Sequence, residues 1–135
     1  MKEPVLVSAC LLGLKTRYDG KRLPEPMAET LLKRFRLIPV CPEQLGGLPT
    51  PRPPAEILGG DGADVLSGTA RVINLRGEEV TEAFMRGAEE VLRLARLLGV
   101  RRAFLKAKSP SCGLEPLGVT AALLLREGLE LHEWG

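Results

Sequence analysis

Four short apolar runs along the chain predict the strands of one sheet. They cover residues 4–9, 37–40, 103–105 and 129–132. In the first run Val5, Leu6 and Val7 follow one another with no polar residue between them, so both faces of that strand are apolar. Strands of this kind are typical of parallel sheets, in which helices cover both faces.

Helical spacing of apolar positions predicts the segments between these strands. The predicted helices cover residues 26–35, 82–98 and Val119–Arg126. For the longest of them, Thr81 is suited to cap the start and Gly99 to cap the end. In the first helix, Pro26 can occupy the first turn, where a missing N–H costs nothing.

The segment 41–57 has a different composition, with five prolines between Pro42 and Pro54. Prolines at this density exclude a regular helix or a central strand, so the segment is predicted to be a stiff, ordered loop. Loops of this length in small domains are usually functional. The following segment, 63–75, is interpreted as a small hairpin with Ser67 and Gly68 at its turn.

Alternation of strands and helices predicts an α/β fold. We expect a single small open sheet of mostly parallel strands with helices on both faces (Rossmann-like), together with a small β-hairpin insertion. At 135 residues the chain has the length of one domain, which is assigned to residues 1–135.

Composition and charge exclude several classes of protein. The chain is 44% hydrophobic and 27% charged, which is typical of a globular protein and not of a disordered one. Its 19 Lys and Arg against 17 Asp and Glu give a net charge of +2, so we expect no nucleic-acid partner. No apolar run approaches the roughly 20 residues of a membrane helix. With no signal peptide recognised either, we expect a cytoplasmic protein with no membrane partner.

Abundant Arg, Glu and Pro, together with very few Asn and Gln, suggest a thermophilic source. Parallel sheets of this size often associate, and on that ground alone we predict a homodimer.

Three cysteines, Cys10, Cys41 and Cys112, carry the candidate chemistry. Each follows the carboxyl end of a predicted buried strand, and in open parallel sheets the ligand crevice lies outside those ends. An odd number excludes a complete disulfide framework. We expect the thiols to be reduced, and therefore small buried apolar groups, catalytic groups, or ligands to a soft metal centre such as zinc, copper(I) or an iron–sulfur cluster. Three thiolates also leave an open position, as catalytic metal sites do.

Three long motifs resemble those of the bacterial DUF523 family, which includes the iron–sulfur thiouracil desulfurases. They are residues 7–13 (VSACLLG) with 17–20 (RYDG), residues 41–52 (CPEQLGGLPTPR) and residues 109–113 (SPSCG). The resemblance extends over nearly the whole chain. One departure is Thr16, where many relatives have a further cysteine, which indicates that this position is not an essential ligand. Another is the short connection 114–117, where relatives tend to have a longer loop.

The resemblance implies a function and a cofactor. It implies removal of sulfur from a thiolated pyrimidine such as 2-thiouracil, or from a related thioamide, with release of sulfide. The ligands of a [4Fe-4S] cluster with one open iron would be Cys10, Cys41 and Cys112, and zinc is the less favoured metal. The resemblance also makes Glu43 the acid/base carboxylate and Ser109 the active-site serine.

We further predict substrate-binding roles for Ser8, Arg52 and Ser111, although Ser111 is also placed to donate to a cluster sulfur. Plain structural roles compete with each prediction: a capping or ion-paired carboxylate for Glu43, a turn residue for Ser109 and a surface ion pair for Arg52. Two other functions stay open. One is a non-enzymatic iron–sulfur, sulfide-binding or redox-sensing protein, and the other is a small α/β binding module with structural cysteines.

Overall fold

The computed structural model describes residues 2–24 and 28–135. The elements follow in the order β1 (Glu3–Ser8), α1 (Ala28–Arg34), β2 (Phe35–Val40), α2 (Pro42–Leu45), β3 (Ala55–Leu58), α3 (Gly62–Ser67), β4 (Arg71–Asn74), α4 (Thr81–Leu98), β5 (Arg102–Lys106), α5 (Val119–Arg126) and β6 (Glu130–Trp134). A single turn of 3-10 helix, Ala9–Leu12, directly follows β1.

The main sheet has four strands in the order β2-β1-β5-β6, and every neighbouring pair is parallel. The central strand β1 is apolar on both faces because Val5, Leu6 and Val7 are all completely buried. Strands β3 and β4 form a separate antiparallel pair. The predicted α/β fold, with its parallel sheet and small antiparallel insertion, is confirmed.

Helices cover both faces of the sheet. Because alternate residues of a strand point to opposite sides, each strand packs against both helical layers. On one face, Leu6 and Leu105 pack into the larger core with α4 and α5. On the other face, Val5 and Val7 pack with Leu31 of α1. This double covering explains why the strands contain continuous apolar runs.

The two later helices agree with the sequence prediction. Helix α5 has the predicted bounds, and α4 ends at Leu98 with Gly99 as its cap, whose φ of 68° is the left-handed conformation of a glycine cap. At the start of α4 the predicted cap is wrong, since Val80 is the capping residue and Thr81 is the first helical residue. The Thr81 hydroxyl instead accepts a hydrogen bond from the backbone N–H of Val72, at 2.9 Å.

The prediction of a helix over 26–35 is wrong at its end. Helix α1 stops at Arg34, and Phe35 begins β2 because the adjacent β1 supplies a pairing partner, Glu3. The part of the prediction that involves Pro26 and Met27 lies outside the described residues.

The segment 41–57 contains regular structure that its prolines led us to exclude. One helical turn, α2, begins at Pro42, where a helix needs no backbone N–H. Strand β3 begins at Ala55, after the last proline of the segment, and pairs with β4. Proline therefore limits the length of these elements without preventing them.

The hairpin predicted over 63–75 is also placed wrongly. Its first half is helix α3, which Asp61 caps by accepting from the N–H groups of Ala63 and Asp64. Gly68, expected at a hairpin turn, has a φ of 85° and ends this helix. The antiparallel pair instead joins β3 to β4, with α3 in the connection.

Among the described residues, no helix is both long enough and apolar enough to cross a membrane.

Candidate active site

A cavity of about 340 Å³ opens at the carboxyl ends of β1, β2 and β5. All eight residues that the sequence selected line it, namely Ser8, Cys10, Cys41, Glu43, Arg52, Ser109, Ser111 and Cys112. Because adjacent parallel strands end at the same edge of a sheet, residues distant in sequence meet here.

Each cysteine lies in the turn or loop that follows a strand. Cys10 lies in the 3-10 turn Ala9–Leu12 after β1, and Cys41 connects β2 to α2. Cys112 lies in the loop between β5 and α5 and is 4% exposed. The cavity therefore gathers three sulfur atoms from three separate strand ends.

Burial makes two of the thiols hard to ionise. It raises the pKa of the Cys112 thiol to about 12, although hydrogen bonds from Ser8 and Ser111 favour the thiolate. Burial also raises the pKa of Cys10, against the opposing effect of the Lys106 charge. In the metal-free chain these two sulfurs are protonated at neutral pH, so a cation must displace their protons to bind them.

The three cysteines share one cavity wall and are the candidate metal ligands there. No group of three His, Cys, Asp or Glu side chains within residues 2–24 and 28–135 is arranged to hold one ion. Soft thiolates are the donors that zinc, copper(I) and iron–sulfur clusters take, so the chemistry of the three cysteines in this cavity suits a soft metal centre.

Glu43 and Arg52 form an ion pair in the cavity wall. Glu43 lies in the first turn of α2, and its Oε1 accepts from Arg52 Nε at 2.9 Å. Arg52 is buried, so solvent screens the pair only weakly. The proline-containing segment predicted as a stiff loop thus supplies both partners of the pair.

Ser109 and Ser111 extend this polar network across the cavity. The Ser111 hydroxyl donates to Glu43 Oε2 at 3.0 Å, and the Oγ atoms of the two serines are 3.0 Å apart. Ser109 Oγ already accepts from the backbone N–H groups of Ser111 and Cys112, at 3.2 and 3.1 Å. With both of its lone pairs occupied, Ser109 must donate its proton to Ser111. Ser111 has a single proton, for which Glu43 Oε2 at 3.0 Å is a closer acceptor than the Cys112 sulfur at 3.8 Å, so the hydrogen bonds run from Ser109 through Ser111 to Glu43.

Ser8 is nearly fully buried and connects two strands. Its hydroxyl oxygen accepts from the backbone N–H of Lys106 at 2.9 Å, while its own hydrogen bond to Cys112 favours the thiolate there. These contacts support the cavity wall, and a substrate-binding role for Ser8 stays a prediction.

The sequence did not select the contribution of the main chain. The carbonyl oxygen of Thr16 accepts from Arg52 Nη2 at 2.9 Å and lies 3.7 Å from the sulfur of Cys41. A carbonyl group is present at every residue, so side-chain identity gives no signal for such a contact.

Lys108 also lies in the cavity wall. Its φ of 62° is a left-handed backbone conformation that is uncommon for lysine.

Comparisons with known proteins show which family the chain resembles. A family model described as 2-thiouracil desulfurase matches residues 5–133. An uncharacterized protein of Bacillus subtilis (strain 168), YbbK, is 42% identical over 137 residues, covering 92% of this chain and 91% of its own length. A solved structure, the [4Fe-4S]-dependent thiouracil desulfidase TudS, is 40% identical with a TM-score of 0.81. That alignment covers 98% of this chain and 91% of TudS.

Proposed function

The chain belongs to the 2-thiouracil desulfurase family, and we propose that it is an iron–sulfur-dependent desulfurase. Its substrate would be a thiolated pyrimidine of the 2-thiouracil type or a related thioamide. The net reaction exchanges the sulfur of a C=S group for the oxygen of one water molecule. The two protons of that water leave with the sulfur as hydrogen sulfide, so no external reductant or oxidant is needed.

The main support is the convergence of three cysteines, one carboxylate and the serine that the motifs selected on a single cavity. Cys10, Cys41 and Cys112 share it with Glu43 and Ser109. A binding module with structural cysteines has no need of a carboxylate beside them. The combination is instead that of a metal centre with an acid/base group next to it.

The three cysteines would hold a [4Fe-4S] cluster. A cluster held by three cysteines supplies one iron that is free to accept a sulfur ligand. Because burial keeps the Cys112 thiol protonated in the metal-free chain, binding would release at least this proton.

Glu43 would move the protons of the reaction. Its two carboxylate oxygens are held by different partners, Oε1 by Arg52 and Oε2 by Ser111. Each oxygen keeps a free lone pair, with which the carboxylate can accept a proton from water and later return it. Ser109, in the same wall, would hydrogen-bond the substrate or the attacking water by turning its hydroxyl proton away from Ser111.

The first experiment is anaerobic purification followed by reconstitution with iron and sulfide. We expect about four iron and four sulfide per chain, with the visible absorption of an iron–sulfur cluster. The variants Cys10→Ser, Cys41→Ser and Cys112→Ser should each lose most of the iron. Arg71→Lys, which changes an exposed ion pair outside the cavity, is the matched control and should retain it.

Turnover of 2-thiouracil, followed by sulfide release, then separates catalysis from cluster binding. Glu43→Gln should keep its iron and lose turnover by about 10²–10⁴-fold. A chain that holds the cluster but releases no sulfide from thiouracil or other thioamides would instead be a non-enzymatic iron–sulfur protein. Absence of iron, with all three thiols resistant to alkylation, would establish structural cysteines.

A further inference from the structure

We infer that Arg52 is a positioning residue that fixes Glu43 and Cys41 relative to each other and binds no substrate. The inference rests on the proposed function, because it assigns Glu43 to proton transfer and Cys41 to the cluster. It differs from the role that the sequence suggested for Arg52, which was substrate binding.

The guanidinium group connects the two functional side chains directly. Arg52 Nε donates to Glu43 Oε1 at 2.9 Å, and Arg52 Nη2 lies 3.9 Å from the sulfur of Cys41. One planar cation therefore contacts both the acid/base carboxylate and a sulfur of the metal-binding set. The planarity of the group fixes the angle between the two contacts.

The remaining donors of Arg52 attach the guanidinium to the surrounding loops. Nη1 donates to the carbonyl oxygen of Pro49 at 3.1 Å and to Thr50 Oγ1 at 2.8 Å. Nη2 also donates to the carbonyl oxygen of Thr16 at 2.9 Å. The backbone N–H of Arg52 donates to the carbonyl oxygen of Tyr18 at 2.7 Å, so the segment after β1 is held twice.

Counting donors excludes a direct role in substrate binding. A guanidinium has five N–H groups, and here the five acceptors belong to Glu43, Cys41, Thr16, Pro49 and Thr50. A substrate could contact Arg52 only by breaking one of these bonds in a buried site, where an unpaired polar group is costly. Lysine could not reproduce the set, because it has three donors and no planar fork.

The first test compares Arg52→Lys with wild type in steady-state kinetics. We expect kcat to fall by roughly 10- to 100-fold with KM nearly unchanged, because a displaced acid/base group lowers the rate without weakening binding. Arg71→Lys, the same substitution in an exposed ion pair, should leave both constants unchanged. A raised KM with unchanged kcat would overturn the inference in favour of a substrate ligand.

A double-mutant cycle shows whether Arg52 acts through Glu43. In the background of Glu43→Gln, the substitution Arg52→Lys should lower kcat little further, whereas independent roles would give multiplying losses. The same cycle in the metal-free chain, with the urea midpoint as readout, should also be non-additive. Because this measurement needs no cluster and no turnover, it tests the pairing even if the proposed function fails. Additive effects in both cycles would contradict the inference.

The reduction potential of the bound cluster reports the contact with Cys41. A cation and a hydrogen-bond donor at a ligand sulfur stabilise the more negative, reduced cluster. Arg52→Gln should therefore shift the potential to a lower value, while Arg52→Lys, which keeps the charge, should shift it less. The shift reports the contact between the guanidinium and the Cys41 sulfur, so identical potentials in wild type and Arg52→Gln would remove this part of the inference.

Thr50→Val serves if the Arg52 variants do not fold. It removes one acceptor of the guanidinium, together with the Thr50 contact to Gln44, and leaves Arg52 itself in place. We expect kcat to decrease about threefold or more, by analogy with other small displacements of catalytic groups, with KM unchanged and the iron retained. Unchanged kcat in this variant would contradict the inference.

Discussion

At the scale of single residues, burial decides which chemistry the thiols have before any metal binds. Cys112 packs within the larger core, and desolvation of its thiolate raises the pKa to about 12. Cys41 is less buried and lies beside the Arg52 guanidinium. The three sulfurs are therefore not equivalent, although each follows a strand.

The Cys112 thiol makes the stability of the metal-free chain depend on pH. In the folded chain the pKa of this thiol is about 12, above its ordinary value of 9.0, so the unfolded chain loses this proton first as the pH rises. The stabilising contribution of this thiol to the free energy of unfolding is fully present below pH 9. It is lost as the pH rises toward the folded pKa, by up to about 1.4 kcal/mol per pH unit. Urea unfolding under reducing conditions from pH 8 to pH 11 measures it. In Cys112→Ala the decline should be smaller, and parallel pH profiles would refute this prediction.

At the scale of elements, two glycines allow the backbone of α2 to pack directly against that of α4. This packing determines the position of Glu43. A Cβ on Gly46 would lie 1.9 Å from the carbonyl oxygen of Ala83. A Cβ on Gly87 would lie 1.9 Å from the carbonyl oxygen of Pro42. Backbone touches backbone at this crossing, so the single turn that carries Glu43 depends on the long helix beside it.

Gly87→Ala tests this close approach. Alanine in a helix interior normally stabilises by about 0.5–1 kcal/mol relative to glycine, but here its Cβ meets a backbone oxygen. We expect a net loss of about 1–3 kcal/mol in the free energy of unfolding, measured with urea. Leu97→Ala, at a position of α4 that is 72% exposed, should change it by less than about 0.5 kcal/mol. A more stable Gly87→Ala protein would show that α2 can move away freely.

The same substitution is expected to have opposite effects on stability at two threonines near helix starts. Thr120 in α5 is completely buried, and its hydroxyl oxygen has no hydrogen-bond partner among the described residues. Thr120→Val should therefore stabilise the chain by about 1 kcal/mol. Thr81→Val removes the acceptor of the buried Val72 N–H and should destabilise it by about 1–3 kcal/mol. Thermal unfolding of both variants measures the difference, and equal shifts would rule out this account.

At the scale of the whole molecule, the parallel sheet brings distant segments to one edge. The three cysteines come from loops that follow β1, β2 and β5, so a cluster bound to all of them would connect three parts of the chain. Such a connection stabilises the fold, because the unfolded chain has no preformed site.

Loss of the cluster should therefore lower the melting temperature. We expect the reconstituted chain to melt higher than the same chain after iron is removed with a chelator, under anaerobic conditions. Cys112→Ser should melt at one temperature with or without reconstitution, because it cannot complete the site. A wild-type melting temperature that does not respond to iron would count against ligation by all three loops.

The predicted homodimer, cytoplasmic location and thermophilic source stay predictions. Light scattering of the purified chain tests the predicted homodimer.

The sequence by itself determined the alternation of strands and helices and the positions of the candidate residues. Continuous apolar runs identify strands that are covered on both faces, and the strand ends then locate Cys10, Cys41 and Cys112. The resemblance of the sequence motifs to those of a known family also selected Glu43 and Ser109, because an unusual string of residues can be recognised without knowledge of the fold. These features are local or periodic, and a linear chain displays them directly.

Only the tertiary structure decided how these residues act on one another. The pairing of β3 with β4 around α3 and the start of β2 at Phe35 depend on partners distant in sequence. The occupied donors of Arg52 depend on carbonyl groups, which every residue has. The raised pKa of Cys112 likewise depends on how deeply the folded chain buries it. Hydrogen bonding and desolvation are properties of the three-dimensional surroundings, so residue identity alone does not specify them.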